Sequence, residues 1–472
     1  MFERLREARQ SARARGDLSR LVEACSQLIT ERGDADSVAI ATRAIDCFRQ
    51  LTPDGVREFF DVLAADYDPD PGLVLRLAER YAVSRSPQNL IELLDAAEPP
   101  RQELLRRLNQ APRGIETIVA MRAQLLSRLR QDGRLLAVDA DFHHLLSSWF
   151  SPGFLRLERV DWSSPARLLE QIIQHEAVHE IDGWSDLRRR LEPDRRCFAF
   201  FHPVMPDEPL IFVEVALLPE MPDAIAPLLD RKREADQDPS RYKVAAFYSI
   251  SNCQPGLRGV NLGNFLIKRV AEQLHREFPR LRTFCTLSPI PTFSNWLARV
   301  EGIESTRLKP AAVAVLDEAL RALRGRYGSD LSALPGALAA QASAAAPAGT
   351  AASAAPAPSA GPAARRAQAA ATSGSGVTRE QDEARLRSLC AFYLWNTSAT
   401  ERVPSDPVAR FHLDNGARLE RINSRADLSR KGLRESCALM VNYLYDLDQV
   451  EANHERFVKG EVNAARAVRG LF

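Results

Sequence analysis

Four apolar runs rich in β-branched and aromatic residues narrow the folds open to this chain: RCFAFFHPVM (196–205), PLIFVEVALL (209–218), KVAAFYSISN (243–252) and RTFCTLSPIP (282–291). Each is bounded by turn residues, and near-continuous apolarity marks strands covered on both faces. Between the last two lies LGNFLIKRVAEQLHREFP, where Leu262, Phe265, Leu266, Val270 and Leu274 stripe one helical face. Strands alternating with helices predict an α/β or α+β domain, from about residue 136 to 472, built on a mixed and largely buried sheet.

The first 135 residues read differently. Thr52-Pro53, Asp70-Pro71 and Ser86-Pro87 each place a capping side chain before a proline at the first helical position. Apolar residues follow at helical spacing, as at Leu73, Leu75, Leu77 and Tyr81, or at Leu90, Leu93 and Leu94. This predicts an N-terminal helical bundle, 1–135, used for packing or oligomerisation.

From Pro335 to Gly376 the chain is almost all Ala, Pro, Ser and Gly, with Arg365 and Arg366 its only charges and Leu338 its only large aliphatic. So little apolar surface does not offset the entropy of ordering, and the segment is expected to be a disordered insertion within the second domain.

Sixty-three basic residues against 62 acidic ones leave a net charge of +1, which steers the chain towards neither nucleic acid nor membrane. No apolar run approaches the roughly 20 residues of a membrane span. Seven scattered cysteines without a C-x-x-C pair read as reduced thiols, and with no secretory core the expected compartment is the cytoplasm.

Two stretches could carry chemistry. His175-Glu176-Ala177-Val178-His179 spells the H-E-x-x-H of zinc hydrolases, whose two histidines share a helix face and hold one metal. The third ligand is missing: the position six residues after His179 is Ser185, and Gly183 and Pro193 end the helix before Glu192. The motif reads as accidental, and no metal is expected.

The second stretch is NCQPGLRGVNLGNFLIKRV. A strand ends, Pro255-Gly256 turn the chain, and Arg258, Gly259, Val260, Asn261, Leu262, Gly263 and Asn264 lead into a helix. Glycines and exposed amides before a helix suit an anion, with Arg258 and Lys268 adding charge. The loop resembles the pyrophosphate loop of the GCN5-related acetyltransferase fold, with Asn261 in place of that pattern's central glycine.

The resemblance then becomes specific. GLRGVNLGNFLIKRV, LSPIPTFSNW, FHLDNGARLERIN and SCALMVNYLY, in this order, are similar to the malonyl-CoA decarboxylase family. HHLLSSWFSPGFLRLERVDW and RRCFAFFHP fit it too. The resemblance implies conversion of malonyl-CoA to acetyl-CoA and CO2 without an organic cofactor, because the thioester carbonyl takes up the electrons. It implies that Ser288 orients the malonyl group and that His412, an imidazole expected to titrate near working pH, protonates the enolate. Tyr445 falls where the family has a supporting tyrosine, and Asn261 where its members can carry glutamate. The amides of 258–264 would take the coenzyme A phosphates, and the helical domain would support a dimer or tetramer.

From the residues alone, Ser288 reads as a helix cap and His412 as a residue before an Asn-Gly turn, while Tyr445 is equally a half-buried helix aromatic. An acyl-CoA-dependent N-acyltransferase and a non-catalytic acyl-CoA-binding scaffold are the alternatives to a decarboxylase.

Overall fold

The structure is a computed structural model; it describes residues 2–30, 34–260, 262, 266–305, 307–344, 376–396 and 406–472. The chain divides into two compact units: Met1–Arg156 with Phe200–Ile211 and Asn252–Gly263, and Leu157–Ala199 with Phe212–Ser251 and Asn264–Phe472.

The first unit is helical: α1 (Phe2–Thr30), α2 (Asp34–Arg49), α3 (Pro53–Ala65), α4 (Pro71–Val83), α5 (Pro87–Ala97), α6 (Pro100–Leu108), α7 (Gly114–Leu126) and α8 (Leu136–Trp149). The helical run thus continues past residue 135, because Val138, Phe142, Leu145 and Leu146 give α8 a buried face. The three cap–proline pairs open α3, α4 and α5. Thr52 accepts from the Gly55 N–H, Asp70 from Gly72 and Ser86 from Asn89, each satisfying a helix-start amide. Phe48, Phe59 and Phe60 form the apolar centre of this unit, the first two in edge contact at 5.8 Å. Helices α4 and α5 pack on each other with no residue fully buried: Leu77, Tyr81 and Leu93 are half-buried, while Leu75, Val83 and Leu94 stay exposed.

The second unit is built on a seven-stranded sheet. Its strands are β1 (Arg156–Val160), β2 (Arg195–Phe201), β3 (Ile211–Leu218), β4 (Val244–Asn252), β5 (Thr283–Thr286), β6 (Arg418–Asn423) and β7 (Met440–Tyr445). Their spatial order is β1-β2-β3-β4-β5-β7-β6. β4 and β5 are parallel, whereas β7 is antiparallel to both β5 and β6, so the sheet is mixed. Every residue of β2 and β3 is buried, as expected of strands covered on both faces.

Four local expectations change. The helix carrying His175, α9 (Ala166–His175), stops at that residue, and Glu176 is already extended. Gly183, read as ending that helix, instead opens a second one, α10 (Gly183–Arg190). Leu334–Ala344 is helical with Leu334 and Ala337 buried, so disorder does not begin at 335; alanine is the strongest helix former, and here it has a core to meet. The rest of the Ala/Pro-rich stretch, 345–375, lies outside the described residues. Leu262, expected on a helix stripe, is buried but precedes the described helix Leu266–Glu277.

Candidate active site

Strands β4 and β5 run in register from Val244↔Thr283 to Phe247↔Thr286 and then part. The Leu287 N–H still donates to the Phe247 carbonyl at 3.0 Å, but Ser288 turns to β7. There its N–H and C=O both bond to Val441, at 2.9 and 3.0 Å. Meanwhile β4 continues to Asn252. The parting therefore sets Ser288 on a rigid backbone step at the end of β5. It does not cap a helix, since the next one, Phe293–Arg299, has Thr292 at its N-cap.

His412 comes from the helix Pro407–Asp414, opened by Asp406. This carboxylate is fully buried and accepts from the N–H groups of Val408 (2.9 Å) and Ala409 (3.1 Å). It also accepts from the N–H and Oγ1 of Thr292, at 3.2 and 2.9 Å. One side chain thus fastens the helix of His412 to the segment that follows Ser288. At the other end of that helix, Gly416 (φ +78°) runs so close to β7's following helix, Val450–Val458, that a Cβ would lie 2.0 Å from the Val450 carbonyl oxygen. The Asn-Gly turn after His412 is therefore real, and it serves to seat the helix.

Ser288 Oγ and His412 Nε2 lie 3.0 Å apart, and both residues are buried. His412 Nδ1 meets the Tyr445 hydroxyl at 2.8 Å, and Ser288 Oγ donates to Thr286 Oγ1 at 2.9 Å. Thr286 Oγ1 also accepts from the Tyr443 N–H at 3.2 Å, and the Tyr443 ring stacks on the imidazole at 4.6 Å. One polarity satisfies the whole chain: Tyr445 O–H donates to Nδ1, Nε2–H donates to Ser288, and Ser288 O–H donates to Thr286. It leaves the imidazole proton on the nitrogen facing the serine. Tyr445 is a buried strand residue, the last of β7, rather than a half-buried helix aromatic.

Burial alone pushes the His412 pKa down to about 3, and it raises the Tyr445 phenol well above its ordinary value. His412 is therefore a neutral ring at pH 7. The expectation of a group titrating near working pH overlooked desolvation, which disfavours the charged form.

The glycine loop belongs to the first unit as far as Gly263. Leu257, Val260 and Leu262 are buried, while Arg258 and Gly259 are exposed. Asn261, Gly263 and Asn264 lie outside the described residues. Lys268, in the second unit, is engaged by Glu451 at 2.8 Å. The HEAVH segment forms no shared helix face: Glu176 turns inward to accept from Ser249 and Ser251 and from the N–H groups of Val178 and His179.

Sequence reasoning missed Asp406, Thr286, Thr292 and Tyr443. Asp406-Pro407 repeats the cap–proline pattern read correctly at Asp70-Pro71, so that signal was available. The other three act through tertiary contacts that no spacing reveals.

The family model for the malonyl-CoA decarboxylase C-terminal domain matches residues 153–472, and that for the N-terminal domain matches residues 67–150. The chain belongs to the malonyl-CoA decarboxylase family. Malonyl-CoA decarboxylase, mitochondrial, of Anser anser anser is 32% identical over 418 residues, covering 85% of this chain and 76% of that protein. The Mus musculus protein of the same name is 35% identical over 370 residues, covering 76% and 68%. A crystal structure of malonyl-CoA decarboxylase from Rhodopseudomonas palustris superposes with a TM-score of 0.79 at 42% identity, over 96% of this chain and 99% of that one.

Proposed function

We propose that this chain releases CO2 from malonyl-CoA with Ser288 and His412 as the acting pair and Tyr445 in support. The observation that carries the reading is the buried 3.0 Å contact between Ser288 Oγ and His412 Nε2, with Tyr445 on the other ring nitrogen. Cleavage of the bond to the carboxylate sends its electrons into the thioester carbonyl as an enolate. Ser288 orients the malonyl group and donates to the developing oxyanion, a kind of contact worth about 10²–10³-fold in rate.

A proton must then reach the enolate carbon. The malonyl carboxylate, brought against the neutral imidazole, raises its pKa by opposite charge, and His412 takes up a proton on binding. Nε2–H then delivers a proton to carbon, a step worth about 10²–10⁴-fold, and the ring returns to neutral for the next cycle. The scheme calls for no organic cofactor. In this reading the Gly259 amide meets the coenzyme phosphates, because the Arg258 and Val260 N–H groups already donate to the Pro255 and Leu257 carbonyls at 3.1 and 2.9 Å.

All seven cysteines are unbridged thiols, which supports a reducing compartment such as the cytoplasm. No helix among the described residues is long and apolar enough to cross a membrane. The helical unit supplies a homo-oligomer contact: on α4 and α5, Leu75, Val83 and Leu94 are 61%, 90% and 59% exposed, an unusual apolar display for a surface. Leu75→Asp with Leu94→Asp should lower the mass seen by sedimentation. Incubation with malonyl-CoA and no amine tests the activity: acetyl-CoA with CO2 is expected, whereas product formed only with an added amine would point to the acyltransferase reading.

A further inference from the structure

Among the buried charges of the helical unit, Arg122 stands out for what it holds. It lies on α7, pairs through Nε with Asp139 of α8 at 2.8 Å, and is 2% exposed. Its Nη1 donates to two carbonyls of the glycine loop, those of Gly256 (2.8 Å) and Arg258 (2.9 Å). Beside it, His143 Nε2–H donates to the Gly259 carbonyl at 3.0 Å. Gly256 is pressed against α7 so closely that a Cβ would lie 1.9 Å from the Val119 carbonyl oxygen. The loop is thus fastened to two helices by its carbonyl side.

In a planar trans peptide the C=O and the following N–H point in opposite directions. Holding the Arg258 carbonyl against α7 turns the Gly259 N–H away from it, while the next amide, Val260 N–H, is taken up by the Leu257 carbonyl at 2.9 Å. Gly259 sits at φ +82° and is exposed, so the outward amide lies in a backbone shape that favours glycine and suits an anion.

We infer that Arg122 is a positioning residue for coenzyme binding: through Gly256 and Arg258, and braced by Asp139, it aims the Gly259 amide at the phosphates. This rests on the loop being the coenzyme phosphate site. A positioning role of this kind acts on the coenzyme end of the substrate and spares the malonyl end.

The test compares malonyl-CoA with S-malonylpantetheine, which keeps the thioester and lacks the phosphates, in steady-state kinetics of the full chain. Arg122→Ala should raise KM for malonyl-CoA by about 10-fold, the order of one charge-assisted hydrogen bond, with kcat within about 3-fold. Kinetics with S-malonylpantetheine should stay within about 2-fold of the parent. Arg122→Lys, which retains the charge but lacks the fork, and Asp139→Asn, which loosens it, should give smaller shifts in the same direction; they carry the test if the alanine variant does not fold. Equal losses on both substrates in these variants, or an unchanged KM for malonyl-CoA, would overturn the inference. Arg258→Ala separates it from its premise. If that variant raises KM for malonyl-CoA and the Arg122 variants do not, only the inference is lost. If the parent enzyme treats both substrates alike, the phosphate reading of the loop is lost first.

Discussion

The second unit contains two histidine sites that look alike in composition and differ in every contact. His179 follows the more familiar motif, yet its Nε2 is sealed from solvent without a hydrogen-bond partner, and burial pushes its pKa down to about 4. The glutamate of that motif is turned away by two serines. His412 follows no short motif, yet both ring nitrogens are engaged, its ring is stacked, and its helix is pinned at both ends. Reactive position comes from what orients a side chain, and five letters of sequence do not encode that. Spacing of four residues also means a shared face only if the helix continues, and α9 ends inside the motif.

The sharpest way to break this contrast is at the dyad. Ser288→Ala and His412→Asn should each lower kcat by about 10²-fold or more while acyl-CoA binding, measured by calorimetry, persists. Turnover near the parent value in either variant would return that residue to a structural role. Tyr445→Phe removes only the hydroxyl on Nδ1 and should lower kcat by about 10-fold, the cost of losing one orienting hydrogen bond.

Stability against pH treats the two sites alike. Both folded-state pKa values lie below the ordinary 6.5, so the unfolded chain binds more protons as pH falls. The stability of the neutral rings is intact above about pH 6.5. It is lost on the way down towards about 4 for His179 and about 3 for His412, by at most about 1.4 kcal/mol per pH unit for each ring. Urea unfolding at pH 7 and pH 5 should show the loss, and His179→Gln should flatten it with kcat little changed. A pH-independent midpoint would mean that these rings are not buried neutral. The smallest effect is expected at His175, half-buried at the end of α9: His175→Ala should leave kcat within about 2-fold.

Much of the fold was legible because local rules governed it. The cap–proline pairs at 52, 70 and 86 mark helix starts, and four apolar runs locate β2, β3, β4 and β5. Strands β1, β6 and β7 escaped because RLERV, RLERIN and MVNYLY mix charged or polar residues into short segments. Of the site, Ser288, His412 and Tyr445 were reached through the family resemblance, since 124 positions separate serine from histidine and no periodicity spans that distance. What stayed illegible was electrostatic: a pKa of about 3 follows from enclosure, which a sequence does not display.

The brace at Asp406 has an evolutionary consequence. Thr292 and Asp406 lie on either side of the Ala/Pro-rich tract, and the hydrogen bonds between them close that excursion where it leaves and re-enters the active-site region. The dyad is then set by Thr286, Thr292, Asp406 and Tyr445, none of which belongs to the tract. Doubling the length of a closed loop costs only about 0.6 kcal/mol. Replacing residues 345–375 by a short Gly/Ser bridge should therefore leave kcat unchanged. A brace of this kind lets a lineage rewrite the sequence between Ser288 and His412 while the distance between them stays the same.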